Sequence, residues 1–264
     1  TRLHDKSRGL GDVYKRQGMD WVDYAFILMA YLVAGGIKGL TGIGFSTSCL
    51  PIMALRLDLK IAIPLVIVPS IVSNLVVMLQ AGRFREALSR FWPLYLASIP
   101  GLIIGLTVLV TIDVDIAKAI LGLVLISYAL WALRNKTFAL SAALERLLKV
   151  PAGFCTGFVN GLTGSQVMPV LPYLLSLDLN KSAFIQSINI SFTFSSLIML
   201  VGMNRLGHLS PDTLLTAAGG LIPVLLSVYL AGRVQGRLTG AFHRTLVLSF
   251  LLAMGVILLL KTLL

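Results

Sequence analysis

The stretch GGIKGLTGIGFS, residues 35–46, decides how this chain is read. It follows an apolar run that starts at residue 21, yet it carries five glycines, two hydroxyls and a lysine. A related string, TGFVNGLTGSQ, returns at residues 156–166. Glycine and polar groups weaken a helix in water and are harder still to place in hydrocarbon, where every backbone group must find a partner inside the protein. Two such interruptions in the greasiest parts of a chain call for a reason.

The solvent is set by composition. Of 264 residues, 57% are hydrophobic and 12% charged, more apolar surface than a water-soluble domain of this length could bury. Ten apolar segments follow, 21–40, 43–57, 61–80, 91–111 and 114–133, then 150–163, 165–177, 182–203, 212–232 and 241–260. About 20 residues at 1.5 Å each cross a hydrocarbon core of about 30 Å. The ten-residue alternation of a membrane β-barrel is absent. The expected class is an all-α polytopic membrane protein.

The net charge of +11 does not point to nucleic acid. Lysines and arginines sit in short loops between apolar runs, where they orient helices, and no basic stripe interleaved with aromatics is found. Cys49 and Cys155 lie in apolar segments and read as small packing residues; no metal site or cofactor motif accompanies them. Residues 1–18 hold five Lys/Arg and two Asp with no apolar run and precede Met19; they read as a non-native or disordered extension.

The chain divides at the polar stretch 138–149, read as a connector containing a short interfacial helix, ALERLLK, between a first transmembrane repeat at 19–137 and a second at 150–264. Gly39-Leu-Thr-Gly42 and Gly161-Leu-Thr-Gly164 stand 122 residues apart, as do Arg83 and Arg205. Pro51 and Pro172, and the Leu-Asp-Leu triplets at 57–59 and 177–179, keep nearly the same offset. The loop at 81–90 carries Arg83, Arg85 and Arg90, and the loop at 233–244 carries Arg233, Arg237 and Arg244; both belong in the cytoplasm. The loop at 111–115 carries Asp113 and Asp115 and belongs outside. These assignments make the halves inverted repeats, each a glycine-broken helical hairpin followed by three transmembrane helices.

Helices restarting after the breaks, at Ile43 and Ser165, would turn free N–H groups and positive dipole ends toward the membrane interior, a setting for an anion. The candidate binding residues are therefore Lys38, Gly39, Thr41, Gly42 and Ser46 in the first half, with Asn160, Gly161, Thr163, Gly164, Ser165, Gln166 and Asn189 in the second. Lys38 is the sharpest: an ammonium inside the membrane is costly and by default functional, with snorkelling to an interface as the plain alternative. Asn160 occupies the matching position, so the site is asymmetric. For the glycines, close helix packing competes with binding, since Gly35/Gly39 and Gly157/Gly161 have small-xxx-small spacing. Asn74, Gln80, Gln186, Ser187, Ser191 and Thr193 read mostly as interhelical hydrogen-bonding groups, and Asp58 and Asp178 as helix N-caps. No nucleophile–base pair, carboxylate dyad or metal cluster suggests an enzyme, and no Walker A loop suggests ATP as driver.

GGIKGLTGIGFSTSCLPIMAL at 35–55 and GFVNGLTGSQVMPVLPYLLSLDLNKSAFIQSINISF at 157–192 resemble the TauE/SafE sulfite exporter family, also called four-toluene-sulfonate uptake permeases. The resemblance extends over 20–264 and implies transport of sulfur-containing anions such as sulfite or organosulfonates across a bacterial inner membrane. The resulting expectation is a secondary transporter, an exporter, working by alternating access. Its expected partners are a small sulfite or sulfonate anion, protons as a coupling ion, the lipid bilayer and further copies of the chain in a homo-oligomer. An anion channel and a non-transporting scaffold or assembly factor stay open as alternatives.

Overall fold

A computed structural model of the chain describes residues 19–134, 139–234 and 240–263. The expected extension at 1–18 and part of the connector lie outside the described residues. Among those described there are eleven α-helices and no strand: α1 Trp21–Thr41, α2 Phe45–Ala54, α3 Leu59–Ala81, α4 Phe84–Thr111, α5 Val114–Leu133, α6 Ala142–Thr163, α7 Val170–Leu175, α8 Lys181–Arg205, α9 Pro211–Gly219, α10 Leu221–Val234 and α11 Gly240–Leu263. Six helical spans, with α9 and α10 counted together, are long and apolar enough to cross a membrane. Trp21, Leu79, Trp92, Leu215 and Ile222 are each more than half exposed on the outer surface, as befits side chains whose solvent is lipid. The protein is an all-α, polytopic membrane protein.

The helices begin where a side chain can accept an orphan N–H. Asp20 and Asp23 form a reciprocal capping box at α1, Asp58 accepts from Lys60 N at α3, Asp113 caps α5 and Ser141 caps α6. Asp58 is the cap expected of it, but at α8 the cap is Asn180, not Asp178. Gly42 and Gly164 end α1 and α6 in the left-handed conformation, with φ of 78° and 73°, and each returns its N–H to the carbonyl four residues back at 2.7 Å.

The breaks differ in detail from expectation. The second helix of each hairpin starts later, at Phe45 and Val170, and α7 has only six residues. The ALERLLK segment is not a separate interfacial helix but the opening turns of α6, which is 22 residues long and no half-helix. The cause is electrostatic: Arg90 forms a two-pronged ion pair with Glu145 at 2.8–2.9 Å, and Lys149 Nζ donates to Arg90 O at 2.8 Å. With its charges held in this way, α6 starts well before its apolar run.

The two hairpins have their feet at opposite ends of the bundle. Arg56, after α2, pairs with Asp20 and Asp23 at the start of α1. Tyr173 Oη, in α7, donates to Glu145 O near the start of α6 at 3.0 Å, and Leu140 N donates to Ser176 O at 2.9 Å. The broadest helix pairings are α4 with α6, α5 with α11, α1 with α10 and α3 with α8, followed by α4 with α8. Exchanging the halves, with α9–α10 taken as the partner of α4, leaves α5 with α11 and α3 with α8 unchanged and turns α4 with α6 into α10 with α1.

Glycine sets how closely the halves approach. A Cβ on Gly153, Gly157 or Gly161 of α6 would fall 2.0–2.2 Å from the carbonyl oxygens of Leu94, Ser98 and Leu102 in α4. One on Gly39 would fall 2.3 Å from Val228 O in α10. Such contacts exclude any side chain. Gly157→Val is therefore expected to lower stability by about 1–3 kcal/mol or more, read as thermal unfolding in detergent. Gly219→Ala, at a position with no atom within 4 Å of the new methyl, is the control and should leave the midpoint unchanged.

Candidate functional site

Lys38, in the last turn of α1, has no solvent-exposed surface. Its Nζ donates to Asn74 Oδ1 of α3 and to Asn189 Oδ1 of α8, both at 2.5 Å. An ammonium has three N–H donors, so one is left over. No carboxylate pairs with it among the described residues. Asn189 turns its own Nδ2 to Gly42 O at 3.2 Å and Ile185 O at 2.7 Å, clamping the first hairpin's tip to α8. Asn189 lies eight residues into α8, about 12 Å along its axis, so the ammonium sits deep in the bundle. That depth disposes of snorkelling for this arrangement.

Lys38 lines a cavity of about 810 Å³, whose wall also includes Gly39, Gly42, Val77, Gln80, Lys181 and Arg233. Its mouth is at the ends of α3, α8 and α10, marked by Ala81, Lys181 and Arg233. Three of the lining side chains are cationic and none is acidic. Arg233 also stacks over Tyr229, 4.5 Å from the ring centroid, which fixes its charge at the rim. This vestibule, lined by cations and by no carboxylate, has the electrostatics that suit an anion.

The remaining candidates fall into three groups. Gly39 and Gly161 are contact points between helices, as described above. Thr41 and Thr163 use their hydroxyls in capping: each donates to the carbonyl four residues back, at 2.8 and 2.7 Å, and accepts the N–H two residues on, at 3.2 Å. These two bonds recur at both GLTG sites, and Thr41 Oγ1 also lies 2.8 Å from Ile43 O. The third group lies between the tips. Ser46 Oγ donates to Ser70 Oγ at 2.8 Å, and Gln166 Nε2 donates to Ser196 Oγ at 2.8 Å and Phe192 O at 3.3 Å. Asn160 Nδ2, Ser165 Oγ and Gln166 Oε1 are buried without a hydrogen-bond partner. Ser46, Asn160, Gly164 and Gln166 line a small cavity separate from the vestibule.

The fold thus gathers Lys38, Gly39 and Gly42 around one cavity, with Asn189 bonded to Lys38 from outside its lining, and Ser46, Asn160, Gly164 and Gln166 around another. Sequence reading placed Asn74 among generic interhelical groups and treated Arg233 only as a loop charge orienting helices. Asn74 shares its helix with Gln80, which lines the vestibule, but nothing in a single sequence says which of two polar residues meets the lysine.

The clamp makes a prediction. Asn189→Leu strips an acceptor from a buried cation and leaves Gly42 O short of a donor, each costing about 1–3 kcal/mol. The variant should melt well below the parent, whereas Ser182→Ala at the open mouth should not.

A family model, Sulfite exporter TauE/SafE, matches residues 27–258. No curated protein and no solved structure matches the chain. The match spans most of the chain, which belongs to the TauE/SafE family.

Proposed function

We propose, with membership of the TauE/SafE family as premise, that the chain is a secondary transporter exporting small sulfur-containing anions, sulfite or organosulfonates, across a bacterial inner membrane. One observation carries this reading: a vestibule walled by cations and no carboxylate includes the buried, amide-held Lys38 in its lining. Lys38 neutralises the anion with its remaining N–H. Asn74 and Asn189 hold the cation while no substrate is bound.

The rim of the vestibule adjoins the arginine-rich connections at 81–90 and 233–244, which supports assigning that end to the cytoplasm. Inverted halves are supported by hairpins rooted at opposite ends and by helix pairings that survive exchange of the halves. The Lys38 ammonium, held by two amides and without exposed surface, favours a carrier over a channel. Outward movement of an anion is favoured by an inside-negative potential by about 2.3 kcal/mol per charge per 100 mV. Uptake would need a second driving ion, for which protons are the choice.

The test is flux in proteoliposomes loaded with sulfite, sulfoacetate or methanesulfonate, with membrane potential and pH gradient set separately. At least one anion should leave saturably and faster when the loaded side is negative. Lys38→Met should abolish that flux while the protein stays folded. Absence of flux for every anion under every gradient defeats the transporter reading, and undiminished flux in Lys38→Met defeats the assignment of the site.

A further inference from the structure

The small cavity between the tips shares matching positions with the vestibule. Adding the 122-residue offset to Lys38, Gly42 and Val77 of the vestibule gives Asn160, Gly164 and Met199, all of which line the small cavity. Lys181, at the vestibule's mouth, follows a Leu-Asp-Leu triplet by two residues, and Lys60 directly follows the matching triplet. The two spaces are nevertheless in opposite states. The vestibule measures about 810 Å³, and its counterpart about 10 Å³, room for about one water.

The route by which the counterpart would open is occupied by side chains. Leu106 of α4 lies against Gly202 of α8, its Cδ2 only 2.5 Å from where a Cβ on that glycine would stand. Gly202 is the match of Gln80, which lines the open vestibule. Beyond it Lys60 Nζ reaches across to Val110 O at 3.4 Å, joining the start of α3 to the end of α4. Behind this closure sit the amide N–H of Asn160 and the carbonyl oxygen of Gln166, more than nine-tenths buried and unpartnered. Groups so placed are expensive unless a ligand or water meets them in some state of the protein.

We infer that this cavity is a second anion station, opening to the face opposite the vestibule and shut by Leu106 against Gly202 and by Lys60 across to Val110. It rests on the reading of inverted halves. Its ligand is a small oxyanion, held by a neutral donor, the unpartnered Asn160 amide, while Gln166 Oε1 accepts from a hydroxyl or water that accompanies it. The station has an amide where the vestibule has an ammonium. It therefore holds an anion less firmly, as suits a point of release.

The experiment is thiol accessibility in a Cys49→Ala, Cys155→Ala background, using oriented vesicles and a membrane-impermeant methanethiosulfonate reagent on one face at a time. Val77→Cys should react only from the vestibule face and Met199→Cys only from the opposite face. Leu106→Ala should speed labelling of Met199→Cys by about tenfold or more, because the lost packing falls on the closed state. Methanesulfonate should slow that labelling, and Asn160→Leu should remove the protection. Ile63→Cys serves as a second reporter if Met199→Cys fails to fold. Labelling of Met199→Cys or Ile63→Cys from the vestibule face alone overturns the proposal, as does no labelling of them from the opposite face with Leu106→Ala present. Labelling needs no net transport, so a protein that moves no anion yet shows two-sided access would sink the transporter reading and leave the gated cavity standing. Flux without far-side access would do the reverse.

Discussion

The arrangement turns on the solvation of one ammonium. Lipid offers Lys38 no water, and no carboxylate is beside it, so two amide oxygens from different helices must stand in for its hydration shell. That requirement draws α1, α3 and α8 together at one depth. Asn189 extends the effect, because the amide that accepts from Lys38 also donates to the carbonyl of Gly42 where α1 ends. The break in the helix and the buried charge are thus parts of one hydrogen-bonded unit. An amide pair compensates a cation only partly, and a group held in this way has free energy to gain when an anion arrives.

The glycines that first draw the eye serve two separate ends. Gly42 and Gly164 are needed for their left-handed backbone, which stops each helix inside the membrane. Gly39, Gly157 and Gly161 are needed because the backbone of another helix lies where a side chain would be. The second set joins α1 of one half to α10 of the other, and α6 to α4. Contacts of this kind have no interlocking side chains, which suits surfaces that must slide.

Much of this was legible in the sequence, for identifiable reasons. Lipid as solvent follows from composition, and the two helix breaks from the recurrence of GLTG. What failed was what depends on partners. The hydroxyls of Thr41 and Thr163 were read as free donors, but the helix ends they cap consume them. The start of α6 was placed too late because its first turns are charged, and only the fold brings Arg90 to Glu145. Asn74 escaped notice as a ligand because a lone asparagine in a long helix looks alike whether it meets a lysine or a backbone carbonyl.

The substitution that separates the two halves is itself informative. Position 38 is lysine and position 160 is asparagine, though both tips end in a left-handed glycine whose N–H returns four residues back and a threonine hydroxyl that accepts the N–H two residues on. A second lysine would place two cations near each other at membrane depth, with repulsion and desolvation adding and no acceptors to spare; the amides of Asn74 and Asn189 already face the first. On the proposed transport, one cation suffices to bind an anion and a neutral counterpart to release it, so the two tips share their backbone caps and differ at the side chain that meets the anion.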